Sequence, residues 1–149
     1  MQKIKTFRFG EVGVDDKKII TFPDGIIGFP DLKKFVLLHD QAADALRYLQ
    51  SIDDPDFALT VVDPLTICDS YLPTVTEEQV ACLGDLLTEE ELLVFVTITI
   101  PEKIEDMSAN LQAPIIINTL NNWAVQVILD DESYKVKTPI YGYLKDKKK

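Results

Sequence analysis

Ser108-Ala-Asn-Leu-Gln-Ala-Pro-Ile-Ile-Ile-Asn118 is the stretch from which the fold is read. Ile115, Ile116 and Ile117 are consecutive and β-branched, a run that suits a strand covered on both faces. Pro114 has no N–H for a ladder and so marks the start of the paired strand. Asn110 and Gln112 precede the run, where a polar side chain either satisfies loose backbone groups or makes a surface contact. Asn118-Thr-Leu-Asn-Asn122 follows with turn residues, and Trp123-Ala-Val-Gln-Val-Ile-Leu129 reads as a second strand. The two predict an antiparallel hairpin, with Asn121 and Asn122 at positions that tolerate φ > 0.

Other short strands surround this hairpin. Thr6–Phe9 alternates with period two, and Lys18–Phe22, Phe35–Leu38, Leu46–Ile52 (whose pattern also fits a short helix) and Phe57–Val62 are further strand candidates. Leu92–Ile100 is the longest, closed by Pro101, with Thr97 and Thr99 on a wetter face. Ile67–Leu72 is read as extended, and Asp31–Lys34 as one helical turn. Pro23-Asp24-Gly25 is a turn signal, because proline presets φ and glycine accepts the left-handed position. Gly28 adds a second bend, with Phe22 and Phe29 placed to pin the loop ends. Helical signals are few: Thr76 with Gln79 resembles a capping box, and Gly84 is a stop, so one short helix is expected there and a turn near Thr88–Glu91. Many short strands and hardly any helix predict a mostly β, small antiparallel barrel-like or sandwich domain with one or two short helices. One domain is expected over residues 1–144, with a disordered Lys-rich tail at 145–149.

Charge sets limits on partners. The 149 residues carry a formal net charge of −10, which opposes a nucleic-acid surface, because phosphate binding needs clustered Lys and Arg. From Glu77 to Asp106 there are nine acidic residues against Lys103, a net −8. Such a span either solvates the chain or attracts a basic protein. No run approaches the ~20 apolar residues that span a membrane, and Met1–Thr6 lacks a signal-peptide core. Cys68 and Cys82 lack C-x-x-C spacing and read as buried thiols. A cytoplasmic protein without membrane contact is expected.

Chemistry-bearing motifs are scarce. The one histidine, His39, stands beside Asp40, but neither Ser51 nor Ser70 has nucleophile-elbow spacing. His39 with two unspaced cysteines is a weak metal set. Asp53, Asp54 and Asp56 lack the calcium-loop frame, and Pro55 interrupts them. Neither a cofactor nor a metal is expected.

Six segments in order resemble the flagellar assembly factor FliW family: Phe9-Gly-Glu11, Phe22-Pro-Asp-Gly-Ile-Ile-Gly-Phe29, Leu49-Gln-Ser-Ile-Asp-Asp-Pro55, Val62-Asp-Pro64, Ala109-Asn-Leu-Gln-Ala-Pro-Ile115 and Gln126-Val-Ile-Leu129. The resemblance covers nearly the whole chain; Ser108 departs from the threonine expected there. It implies a barrel-like protein without enzymatic activity that binds flagellin in the cytoplasm and, alternatively, CsrA, a small basic RNA-binding dimer that represses flagellin translation. Capture of CsrA would relieve that repression.

On this reading Glu89, Glu90, Glu91, Glu102, Glu105 and Asp106 are the candidate CsrA contacts, through carboxylates that pair with Lys or Arg. Ile26, Ile27 and Phe29 are candidate apolar anchors for flagellin, or else staples of their own loop to the core. Asn110 and Gln112 are further partner-binding candidates. The competing class is an RNA- or small-ligand-binding β-barrel, which would need a basic aromatic face or a polar pocket.

Overall fold

The computed structural model describes residues 2–6, 9–39, 46–68, 71, 78–83, 92–130 and 133–140. Eleven strands are present among them: β1 (Gln2–Thr6), β2 (Gly10–Val14), β3 (Ile20–Thr21), β4 (Lys34–His39), β5 (Arg47–Ser51), β6 (Ala58–Val62), β7 (Leu92–Thr99), β8 (Ser108–Ala109), β9 (Ile115–Asn118), β10 (Trp123–Gln126) and β11 (Thr138–Pro139). Seven of them close on themselves in the order β3-β4-β5-β6-β7-β9-β10, and β10 returns to β3. Closure removes the open sheet edges that would otherwise template aggregation. All ring pairs are antiparallel except the β3–β10 seam, where Trp123 lies opposite Thr21 in parallel. The β1–β2 hairpin and the short β8–β11 pair are attached to this barrel.

The alternation of each strand divides the apolar residues between two sides. Residues directly opposite in an antiparallel pair share a face. Ile115 and Ile117 therefore point with Phe22, Phe35, Leu49 and Val61 into the barrel interior. Ile116 points the other way, into an outer layer with Val62, Val96, Leu83, Leu111 and Leu129. This is why three consecutive isoleucines are all buried. Each contributes about 2–3 kcal/mol of burial. A third cluster joins Ile4 and Val14 of the β1–β2 hairpin to Val36 on the outer face of β4.

The all-β reading holds, and the local corrections have local causes. β1 is Gln2–Thr6 and Phe9 is a turn residue rather than strand: Thr6 Oγ1 donates to Gly10 O and accepts from Phe9 N. Phe7 and Arg8 lie outside the described residues. Lys18 belongs to a 3-10 turn at Asp16–Lys18, capped by Asp15, so β3 is only Ile20–Thr21. Asp31–Lys34 is not a helical turn; a bond from Leu32 N to Phe29 O closes a single reverse turn, and Lys34 already opens β4. The extended piece expected at Ile67–Leu72 is not found among its described residues: Asp63 accepts from Leu65 N and caps a 3-10 turn at Pro64–Thr66, Ile67 N and Cys68 N both donate to Pro64 O, and Tyr71 N donates to Cys68 O. Only Asn122, not Asn121, has positive φ (59°). Helix signals near Thr76–Gly84 give a turn at 78–80 and a 3-10 turn at Ala81–Leu83 rather than an α-helix among the described residues; residues 76, 77 and 84, the Thr88–Glu91 turn and residues 141–149 lie outside the described residues. Cys68 is half-buried rather than buried, at the margin of the outer layer.

Candidate functional site

The site begins in the same stretch that decides the fold. Ile98 and Phe95 of β7 lie opposite Ala109 and Ile115. Three steps along β7 thus face six along the partner, and the surplus residues bulge out of the ladder between β8 and β9. A bulge leaves backbone groups without ladder partners, and each buried one must be satisfied. Asn110 Oδ1 accepts from both Gln112 N and Ala113 N. The four carbonyls that follow are all engaged. Leu111 O accepts from Tyr71 Oη at 2.7 Å, Gln112 O from Leu129 N, Pro114 O from Val127 N, and Ala113 O from Gln126 Nε2 at 3.2 Å. The expected cap at the strand entry is therefore Asn110, whereas the Gln112 side chain caps nothing among the described residues.

The facing wall comes from the Phe22–Pro30 turn. Gly25 has φ +73°, and a Cβ there would meet Pro30 O at 2.5 Å, so only glycine lets the chain fold back on itself. Ile26 and Phe29 then bridge through reciprocal backbone bonds, Ile26 N to Phe29 O and Phe29 N to Ile26 O. Phe22 is wholly buried, while Phe29 is 49% exposed. One face of Phe29 rests on Phe57, with centroids 4.7 Å apart. Phe22 pins the loop to the core and Phe29 covers one end of the barrel.

Between the two walls lies an open cleft of about 320 Å³. Leu59, Thr97 and Gln126 form part of its lining; they stand opposite Leu49, Val61 and Ile115, all inward-facing. The cleft is therefore one mouth of the barrel. Ile26, Ile27, Phe29, Asn110 and Gln112, drawn from two distant segments, all line it. Ile26 is buried at its base, whereas Ile27 and Phe29 stand about half exposed, as do Ile128 and Val136. At the opposite mouth Leu37, Leu93 and Ile117 line a smaller hollow of about 200 Å³.

The acidic candidates lie elsewhere. Glu102, Glu105 and Asp106 are exposed, and the last two sit on a 3-10 turn at Ile104–Asp106 that leads through Met107 into β8. Glu89, Glu90 and Glu91 lie outside the described residues. Among the described residues no cluster of three or more His, Cys, Asp or Glu side chains could hold a metal, and no helix is long and apolar enough to cross a membrane.

Comparison with known proteins places this arrangement. The model of the FliW protein family matches residues 3–140. The chain belongs to the FliW family. It is 43% identical to the flagellar assembly factor FliW of Caldanaerobacter subterraneus subsp. tengcongensis over 97% of this chain and 96% of that protein. It is 38% identical to the FliW of Lachnoclostridium phytofermentans over 98% of this chain and 95% of that protein. A crystal structure of the flagellar assembly factor FliW superposes with a TM-score of 0.87 and 31% identity, covering 93% of this chain and 96% of the other. The barrel with its bulged β8–β9 connection is thus a FliW fold.

Gln126, Thr97 and Ile128 were not legible as site residues from their own neighbourhoods. Gln126 carried one signal: it is the single strongly polar side chain in the run Trp123–Leu129. Ile128 and Val136 carried none, since an exposed apolar residue near a strand end has no periodic signature.

Proposed function

We propose that this chain acts in flagellar assembly as a cytoplasmic, non-enzymatic regulator that binds flagellin and, alternatively, CsrA, and so relieves repression of flagellin translation. The observation that carries the flagellin half is the cleft: half-exposed Ile27, Phe29, Ile128 and Val136 converge on one mouth of the barrel. Contiguous exposed apolar side chains around a concavity mark a protein-binding surface, because burying them against a partner is favourable. Ile26, Asn110 and Gln112 complete that surface.

The exposed carboxylates of Glu102, Glu105 and Asp106 support the second half. With Glu89, Glu90 and Glu91 they form the acidic set proposed to attract the basic CsrA dimer. Attraction of this kind raises association rates and weakens as salt screens it.

Size-exclusion chromatography of the chain mixed with CsrA, with and without flagellin, tests the proposal at low and high salt. A CsrA complex that flagellin displaces, and that salt weakens, supports it. Absence of a complex with either partner overturns it. Binding of RNA by the chain alone would favour the nucleic-acid reading instead.

A further inference from the structure

The lining of the cleft has a chemical character that narrows its occupant. Among the described residues, none of the eleven that line it is charged, although 27% of the chain is Asp, Glu, Lys or Arg. Three of its polar side chains also hold hydrogen-bonding capacity in reserve. Asn110 Oδ1 is fully engaged by the Gln112 and Ala113 amides, which orients the side chain and leaves its Nδ2 group without a partner among the described residues. Among the described residues, neither the Gln112 side-chain amide nor the Thr97 hydroxyl has a hydrogen-bond partner. Gln126, by contrast, uses both ends of its amide within the protein.

A charged group entering this cleft would shed water and find no counter-charge among the described lining residues, a cost that a hydrogen bond from a neutral amide does not cover. A wholly apolar occupant would leave three polar groups desolvated without partners. A neutral amide-bearing segment meets both conditions. We infer that the cleft takes an uncharged segment of its protein partner. An apolar side chain of that segment lies against Ile27 and Phe29, and adjacent peptide groups or Asn/Gln amides bond to Thr97, Asn110 and Gln112. This rests on the flagellin reading above and names the part of the partner that the cleft selects.

Asn110→Asp is the discriminating variant. The carboxylate keeps both acceptor bonds to Gln112 N and Ala113 N, so the bulge survives, while the Nδ2 donor becomes a charge facing the cleft. Gln112→Glu places a charge without touching any internal bond. Titration calorimetry of the full chain with flagellin, and separately with CsrA, reads the effect. Each variant should weaken flagellin binding by at least about tenfold and leave CsrA binding unchanged. Wild-type flagellin affinity should change less than about twofold between low and high salt, because the described lining residues carry no charge to be screened.

Tight flagellin binding by the wild type and equally tight binding by both variants would overturn this inference and leave the flagellin reading standing. A wild-type chain that binds no flagellin overturns both. Self-association of the wild type that Asn110→Asp abolishes, seen by sedimentation, would assign the cleft to a second copy and overturn the inference.

Discussion

Gln126 Oε1 accepts the backbone N–H of Ile27 at 3.0 Å, across 99 residues of chain. The same side chain donates through Nε2 to Ala113 O. One amide thus ties the Phe22–Pro30 turn to the bulge between β8 and β9, and sets the spacing of the cleft walls. Gln126→Leu removes both bonds at similar volume. A stability loss of about 1–2 kcal/mol is expected by urea unfolding. Gln126→Glu keeps the acceptor for Ile27 N but sets a carboxylate oxygen against Ala113 O, so its loss should at least match that of Gln126→Leu. Equal stability of all three would show that the clamp is incidental.

Gly25 and Gly28 form a natural contrast in the same turn. Both have positive φ, +73° and +87°, but only Gly25 has Pro30 backbone atoms in the space a Cβ would take. Gly28→Ala should cost about 1–2 kcal/mol, the strain of a left-handed residue. Gly25→Ala adds an overlap with backbone that cannot step aside, and should lower stability well beyond that or prevent folding. Comparable thermal midpoints for the two variants would contradict the close approach.

Gln50 holds the turn between β5 and β6. It is 1% exposed, and its Nε2 lies 3.0–3.3 Å from the carbonyls of Ser51, Asp54, Pro55 and Phe57. Gln50→Leu preserves bulk but leaves these carbonyls without their shared donor. A loss of about 1–3 kcal/mol is expected, with faster amide exchange in residues 51–57 as the local signature.

Phe29 separates binding from folding. Being half exposed, it should lose only about 1 kcal/mol of stability on truncation to alanine, less than a core phenylalanine such as Phe35 at about 3–5 kcal/mol. Flagellin affinity should fall at least tenfold for Phe29→Ala, about 1.4 kcal/mol. Joint loss of folding and binding would make Phe29 a staple of its loop rather than an anchor for a partner.

Tyr71 gives the fold an alkaline limit. Burial, then the neighbouring Tyr134 and Cys68, raises its ionisation well above the ordinary tyrosine range, while its hydroxyl donates to Leu111 O. The folded state keeps the proton where the unfolded chain, with its pKa near ~10, gives it up. This stabilisation is complete below about pH 10 and is lost as the pH climbs beyond it. Tyr71→Phe should cost about 1 kcal/mol at neutral pH and flatten the decline above about pH 10, as followed by urea unfolding at stepped pH.

The sequence by itself determined what depends on near neighbours. Alternation and β-branching marked the ring strands. Pro114 marked where β9 begins, and the asparagines of 118–122 marked the hairpin turn. These signals are legible because a strand's side-chain period and a turn's φ requirement are satisfied within a few residues. The tertiary structure alone decided which face each residue would serve. Ile115 and Ile116 are chemically identical, yet barrel closure sends one inward and the other to the outer layer. It also assembled the cleft, whose members span residues 26 to 136. The bond from Gln126 to Ile27 exists because the ring closes at β3 and β10, and pairing across such a separation follows the whole topology rather than any local pattern.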